Sequence, residues 1–450
     1  MNQALCLAVL AVATIVAFGQ DSRPRGAEFE ILAPRAFAPA LGAFIDHKRA
    51  RGTSTELLIL EDVLALEEGA DDAEKVKRRL FRAWRAGASS VLLVGDADVF
   101  PVRYMCLDRV AEPAFNHAFY PSDLYFADVA KADGAFEDWN ACRDGHHAGY
   151  FGEVHGEKHK AGPINVDGVD YKPELALGRW PAGTTAEVAL IAAKSIRAEN
   201  ARAGRAFGRS RTAAFFAVEG WIDTRAHLTN LARSLAPRWT VLERFYGDAS
   251  NAPDVNGMTR VLRDGAGLVA HTGHGNDDVW EKCLALSTIE RAKNATNLPV
   301  MISIGCSTAR FAAMPPYEDY VDFEGKEQKG SNGGRVFLAP PPPPSCYQRG
   351  PFNHTGLGEQ LLRQSDDGAV AYIGCNTGAQ PCALTLLDGF IAAVAAAERP
   401  RLGEAWRQAL VSYVERERLF ELKPDDGWYP PSIFFQGMKF MLFGDPTFEM

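Results

Sequence analysis

Gly267-Leu268-Val269-Ala270-His271-Thr272-Gly273-His274-Gly275 is one of two apolar runs that end in a reactive residue. The other is Leu298-Pro299-Val300-Met301-Ile302-Ser303-Ile304-Gly305-Cys306. Each reads as a short buried strand. In a parallel sheet, side chains at the carboxyl ends of neighbouring strands converge on one crevice. His274 and Cys306 then lie side by side, an imidazole next to a thiol, which is what a cysteine nucleophile with a general base requires. The glycines permit close backbone approach, so that amide N–H groups can cradle an oxyanion.

The same rhythm extends outward in both directions. Upstream of the first run come a strand at Ala213–Val218, a helix at Ala226–Ala236, a strand at Val241–Phe245 and a helix at Pro253–Asp264. Downstream come a strand at Ala369–Ile373 and a helix at Leu402–Arg416. An earlier series runs from Phe29–Leu32 through a helix at Phe37–Arg51, Leu57–Leu60, a charged helix at Asp72–Ala86 and Val91–Val94. It continues to Leu175–Leu177 and a helix that opens on the Thr184/Glu187 capping box and reaches about Ala203. Strands alternating with helices imply parallel sheets. The expected fold is therefore α/β, with two adjacent doubly wound subdomains over residues 20–205 and 206–450. Residues 310–355 interrupt the second with glycines and the run Pro340 to Pro344, a long insertion of the kind often used as a lid.

The chain has 450 residues, 47% hydrophobic and 23% charged, ample for a large core. A net charge of -9 with no long basic block argues against nucleic acid as the main partner. Leu5 to Phe18 is apolar and leads into Ala17-Phe18-Gly19, so residues 1–19 resemble a secretory signal peptide. The run is too short to span a bilayer comfortably, and the expected location is secreted or periplasmic, without stable membrane insertion. Of the eight cysteines, Cys6 leaves with the signal. The remaining seven allow up to three disulfides, with Cys306 the candidate free thiol.

Other residues admit competing readings. Ile373-Gly374-Cys375-Asn376-Thr377 echoes Ile304-Gly305-Cys306-Ser307-Thr308, but Cys375 lies one strand further on. His271 and His274 with Cys306 or Asp277 have a loose metal-ligand spacing, without a helical zinc-peptidase signature. His271 alone reads as a core histidine. Asp138, Asn140, Asp144 and Glu153 form an oxygen-rich stretch that suggests calcium, although strict EF-hand spacing is absent and acid-rich surface loops are common.

Taken with their order along the chain, several segments resemble the gingipain family of caspase-like cysteine peptidases. They are Leu92-Leu93-Val94-Gly95-Asp96, Ser122-Asp123-Leu124-Tyr125, Leu177-Gly178-Arg179-Trp180-Pro181, Thr272-Gly273-His274-Gly275, Gly305-Cys306, Gly358-Glu359-Gln360-Leu361-Leu362 and Leu442-Phe443-Gly444-Asp445-Pro446-Thr447. The resemblance implies a caspase-like second half, with Cys306 as nucleophile and His274 as acid and base. It also implies oxyanion donors at the backbone N–H groups of Gly275 and Cys306, Glu219 orienting the imidazole, and Asp223 receiving a basic substrate side chain. The long insertion after Cys306, the lack of a long pro-segment and the lack of a following immunoglobulin-like domain depart from the family pattern. The resulting expectation is an exported cysteine endopeptidase cleaving protein or peptide substrates after Arg or Lys, needing no cofactor for its chemistry. The insertion would then be a flap, with Lys326, Lys329, Arg335 and Arg349 as self-cleavage points. The rivals are a non-catalytic binding protein on the same fold and a metal-dependent hydrolase.

Overall fold

The computed structural model describes residues 26–108, 117–143, 149–156, 160–203, 211–330, 341–348, 356–423 and 429–450. Asp144, Arg335, Arg349 and the signal-like segment lie outside them. Ten strands form the main sheet: β1 (Phe29–Ala33), β2 (Thr55–Ile59), β3 (Ser90–Val94), β4 (Ala176–Trp180), β5 (Thr212–Ala217), β6 (Thr240–Phe245), β7 (Leu268–Thr272), β8 (Val300–Ile304), β9 (Ala371–Cys375) and β10 (Phe440–Phe443). Their spatial order is β2-β1-β3-β4-β10-β9-β8-β7-β5-β6.

The two expected series are thus halves of one continuous sheet rather than two sheets. The joint is β10, which sequence reading recognised only as a terminal motif. It pairs parallel with β4, Phe443 opposite Arg179, and antiparallel with β9 from Tyr372↔Phe443 to Cys375↔Phe440. All other neighbours in the main sheet are parallel. The strands of the two halves therefore run in opposite directions.

Successive side chains along the strands point to opposite faces and feed two cores, one on each side of the sheet. Phe29, Ile31, Leu92 and Val94 pack with Leu41 and Phe44 of the helix Ala38–Ala50 and Val188 and Ile191 of the helix Thr185–Ala203. Leu32, Val91 and Leu93 face the opposite layer, which includes Val76 and Leu80 of Asp72–Arg85 and the helices Arg225–Leu235, Leu384–Ala396 and Leu402–Arg416. Two helices start where an aspartate satisfies a free amide: Asp71 accepts from Glu74 N and Asp254 from Gly257 N. The Thr184/Glu187 capping box forms as expected, with Glu187 N–H donating to Thr184 Oγ1 at 3.2 Å and Thr184 N–H to Glu187 Oε2 at 3.0 Å.

The insertion is not a loose flap over its described residues. Phe311, Ala312 and Ala313 are fully buried. Tyr104 of the small sheet Tyr104–Asp108/His117–Pro121/Phe151–Val154 donates its hydroxyl to Ala313 O at 2.8 Å. Val102 N–H donates to Cys346 O at 2.8 Å, and Gln348 N–H to Ala97 O at 2.8 Å. The segment after Cys306 is therefore a strap fastened to the N-terminal half, its apolar start serving as core.

Candidate active site

β7 and β8 are adjacent and parallel, with His271↔Ser303 and Thr272↔Ile304 in register. The turns beyond them carry His274 and Cys306 from neighbouring strand ends. These turns touch: a Cβ on Gly305 would fall 3.4 Å from Gly275 Cα, and one on Gly275 only 2.6 Å from Thr308 Cγ2 and 3.3 Å from Cys306 O. Any side chain at Gly275 would push the two turns apart.

After Gly275 the chain forms a short hairpin. Asn276 N–H donates to Val279 O, and Glu281 N–H to His274 O, which leaves the Gly275 N–H pointing away from the hairpin. Among the described residues neither Gly275 N–H nor Cys306 N–H has an acceptor. Both amides are able to donate to an incoming oxyanion. The Cys306 turn is tight: Ser307 adopts φ 56°, and its N–H donates to Thr377 O at 2.6 Å. Cys306 is partly exposed, with its Sγ 3.9 Å from Ala379 O.

The ring of His274 is exposed, and its Nε2 lies 2.6 Å from the carbonyl oxygen of Gly220. With Nε2–H donated there, Nδ1 carries the lone pair that a base needs. Glu219 does not orient the ring. Its exposed carboxylate lies 3.7 Å from Lys282 Nζ. Gly220, with φ 116°, turns the backbone so that its carbonyl, not the preceding side chain, reaches the imidazole. Sequence reading passed over Gly220 because a backbone acceptor has no residue-type signature.

Asp223 is exposed and already paired. Arg225 Nε and Nη2 lie 2.9 and 2.8 Å from its two oxygens. Those hydrogen bonds hold its carboxyl well below the usual range. Its charge is thus met by the chain's own guanidinium rather than presented bare to the cleft.

Cys375 is fully buried, its thiol pushed up to about 12 by that burial, which removes it as a rival nucleophile. No disulfide joins any of the seven cysteines among the described residues, so the pairs allowed by the sequence count do not form. His271 is the expected core histidine: it stacks on Trp280 with ring centroids 4.5 Å apart, its Nδ1 is 2.9 Å from Ser303 Oγ, and burial depresses it to about 3.

Of the expected calcium ligands, Asp144 lies outside the described residues, and two of the others have protein partners. Asp138 Oδ1 accepts from Asn140 N–H, its Oδ2 pairs with Arg143, and Glu153 faces His155. The acids that converge, among the described residues, are Asp128, Glu137 and Asp170, with ligand atoms within 4.8 Å of one another. A resident cation already serves them. The buried Lys77 Nζ donates to Asp128 O at 2.6 Å and lies over the Trp139 ring. The metal-hydrolase rival gains no ligand set from His271 and His274, which bond to Ser303 and Gly220.

A pocket of about 520 Å³ opens beside the turn that follows Cys306. Ser307, Arg310, Glu318, Thr377, Gly378 and Lys439 are among its lining residues. The described part of the insertion borders this space without filling it.

The sequence model of peptidase family C25 matches residues 22–450. Solved structures share the fold at low identity. That of the Arg-specific cysteine proteinase gingipain R (RgpB) is 14% identical, with TM-score 0.61 over 96% of this chain and 79% of that one. The complex of the pro- and mature domains of RgpB from Porphyromonas gingivalis gives 15% identity and TM-score 0.60 over 94% and 79%. A further structure described as a protease gives 14% and 0.59 over 93% and 77%. No curated protein sequence matches the chain.

Proposed function

Because the chain belongs to peptidase family C25, a family of cysteine-type endopeptidases acting on proteins, we propose that Cys306 and His274 perform its hydrolysis. His274 Nδ1 takes the proton of the Cys306 thiol, the resulting thiolate attacks the scissile carbonyl, and the carbonyl oxygen moves into reach of the Gly275 and Cys306 N–H groups. His274, its ring steadied through Nε2 by Gly220 O, passes a proton from Nδ1 to the leaving amine. It then takes a proton from the water that hydrolyses the thioester, and the free thiol is restored. Every step is assigned to protein groups, so the proposal calls for no cofactor. The observation that carries it is the contact between the Gly273–Gly275 and Gly305–Cys306 turns.

The proposal extends to a preference for Arg or Lys before the scissile bond. Gingipain R, which shares the fold, is described as Arg specific. Asp223, three residues past Gly220, is an exposed carboxylate that a substrate guanidinium can take over by displacing Arg225. Export is proposed from the apolar Leu5–Phe18 run. No described helix is long and apolar enough to cross a membrane.

The test is cleavage of a peptide library by the purified chain. Cys306→Ala and His274→Ala should each abolish turnover, because nucleophile and base act as a unit. Cys375→Ala should retain a substantial part of it. Wild-type turnover in Cys306→Ala would refute the assignment, and a profile indifferent to Arg and Lys would remove the specificity claim alone.

A further inference from the structure

We propose that a closed ring of buried hydroxyl groups around Gly305 sets the pose of Cys306, making Ser303, Tyr372 and Thr308 positioning residues for the reaction. The inference rests on the assignment of Cys306 as nucleophile.

The residue before the nucleophile is held at both ends of its peptide. Gly305 N–H donates to Ser303 Oγ at 3.1 Å, and Gly305 O accepts from Thr308 Oγ1 at 3.4 Å. The hydroxyl of Tyr372 lies near both Ser303 and Thr308, where it can close the ring between them. Two further contacts fix its direction: Trp280 Nε1–H donates to Tyr372 Oη at 2.8 Å, and His271 Nδ1 lies 2.9 Å from Ser303 Oγ. The five side chains come from β7, the hairpin after His274, β8, the turn after Cys306 and β9. All are fully buried.

The proton order around the ring follows from the groups that have no choice. An indole N–H is donor only, and a peptide carbonyl is acceptor only. Thr308 must therefore give its proton to Gly305 O and accept one from Tyr372. Tyr372 spends its own proton on Thr308, so it accepts from Trp280 and from Ser303. Ser303, having given its proton away, accepts from Gly305 N–H and from His271 Nδ1–H. This leaves a lone pair, not a proton, on His271 Nε2, the ring nitrogen without a partner. A stranded acceptor is tolerated in a buried site better than a stranded N–H. Every hydroxyl in the ring is then fully used, and such a network favours one arrangement of the chain.

The consequence lies one residue on. With both ends of the Gly305 peptide held, the Cys306 N–H has a fixed direction, and the left-handed turn at Ser307 is kept in place. Acyl transfer depends on that amide through the oxyanion it stabilises. Alkylation of the same thiol by iodoacetamide does not, since no tetrahedral oxyanion forms.

The experiment compares the two reactions in the full-length chain for Ser303→Ala, Tyr372→Phe and Thr308→Val. We expect kcat for peptide hydrolysis to fall roughly 10- to 100-fold, the loss that a small misplacement produces. KM and the alkylation rate should stay within about threefold of wild type. Ser303→Thr, which keeps the hydroxyl, should recover most of the lost kcat. Tyr372→Phe removes one oxygen and preserves packing, so it keeps the test open should Ser303→Ala misfold. Wild-type kcat in folded Tyr372→Phe overturns the proposal, as does an equal loss of hydrolysis and alkylation in all three variants. Wild-type hydrolysis by Cys306→Ala in the same assay would instead sink the nucleophile assignment beneath it.

Discussion

The acceptor that steadies His274 belongs to the main chain, and no substitution deletes it. Its contribution is read through geometry instead. Gly220 has φ 116°, and a Cβ there would fall 3.2 Å from His274 Cδ2. Gly220→Ala should therefore turn the carbonyl or crowd the ring, lowering kcat while costing about 1–3 kcal/mol in backbone strain. Glu219→Gln should leave kcat within about twofold, since the carboxylate faces Lys282 and solvent. Steady-state kinetics with a thermal melt of both variants decides the matter, and a large kcat loss in Glu219→Gln alone would return the orienting role to the carboxylate. The case also marks how far residue types reveal a site. The meeting of the His274 and Cys306 turns was legible because an imidazole and a thiol at successive strand ends are rare and reactive. Gly220 and the Ser303 ring were not, because backbone carbonyls and buried hydroxyls occur throughout any core.

At the scale of elements, the helix Leu357–Arg363 links the segments after His274 and Cys306 to the N-terminal half. Its first amides donate to them: Leu357 N–H to Asp277 O at 2.5 Å and Gly358 N–H to Thr308 O at 3.1 Å. Its far end is anchored by Arg363, whose Nη1 reaches Asp96 Oδ2 at 2.9 Å. Arg363→Met leaves Asp96 without its buried partner and should destabilise the fold by about 3–5 kcal/mol in denaturant melts. Glu359 adds a pH dependence. Burial, then the Asp96 charge, raises its carboxyl well above the ordinary range. The folded protein thus holds a proton that the unfolded chain releases, so this group costs stability as pH rises above its unfolded pKa. Glu359→Gln keeps the cap on Gly356 N–H without that ionisation. Its melting temperature relative to wild type should climb from pH 4 to pH 8, and a constant difference would mean Glu359 does not titrate in that range. Other elements show where patterning misleads. The Leu384–Ala396 helix, LTLLDGFIAAVAA, is apolar on nearly every side and offers no stripe to read. Leu402–Arg416, amphipathic, was placed with its true limits.

Across the whole molecule, the insertion after Cys306 binds the halves together. A lid can be cut away with little loss of stability, whereas a strap with buried Phe311, Ala312 and Ala313 cannot. Replacing residues 310–355 with a Gly-Ser linker should therefore yield insoluble or markedly less stable protein. Replacing 323–330 alone, where Phe323 and Lys329 are exposed, should be tolerated. A stable, active chain lacking the entire segment would restore the lid reading. The strand rhythm foretold both α/β halves, yet their union was hidden. It depends on a four-residue strand whose neighbours, β4 and β9, lie far from it in sequence.

That seam strand also imposes an order on biosynthesis. Domains generally fold as units while the chain emerges from the ribosome. Here both half-sheets are translated before residues 440–443, which alone hydrogen-bond to β4 on one side and β9 on the other. Until then each half exposes an unpaired edge, the kind of surface that recruits foreign strands. A nascent chain stalled before residue 440 should accordingly lack peptidase activity and bind holdase chaperones. The arrangement would keep the protease inert until residues 440–443 have left the ribosome.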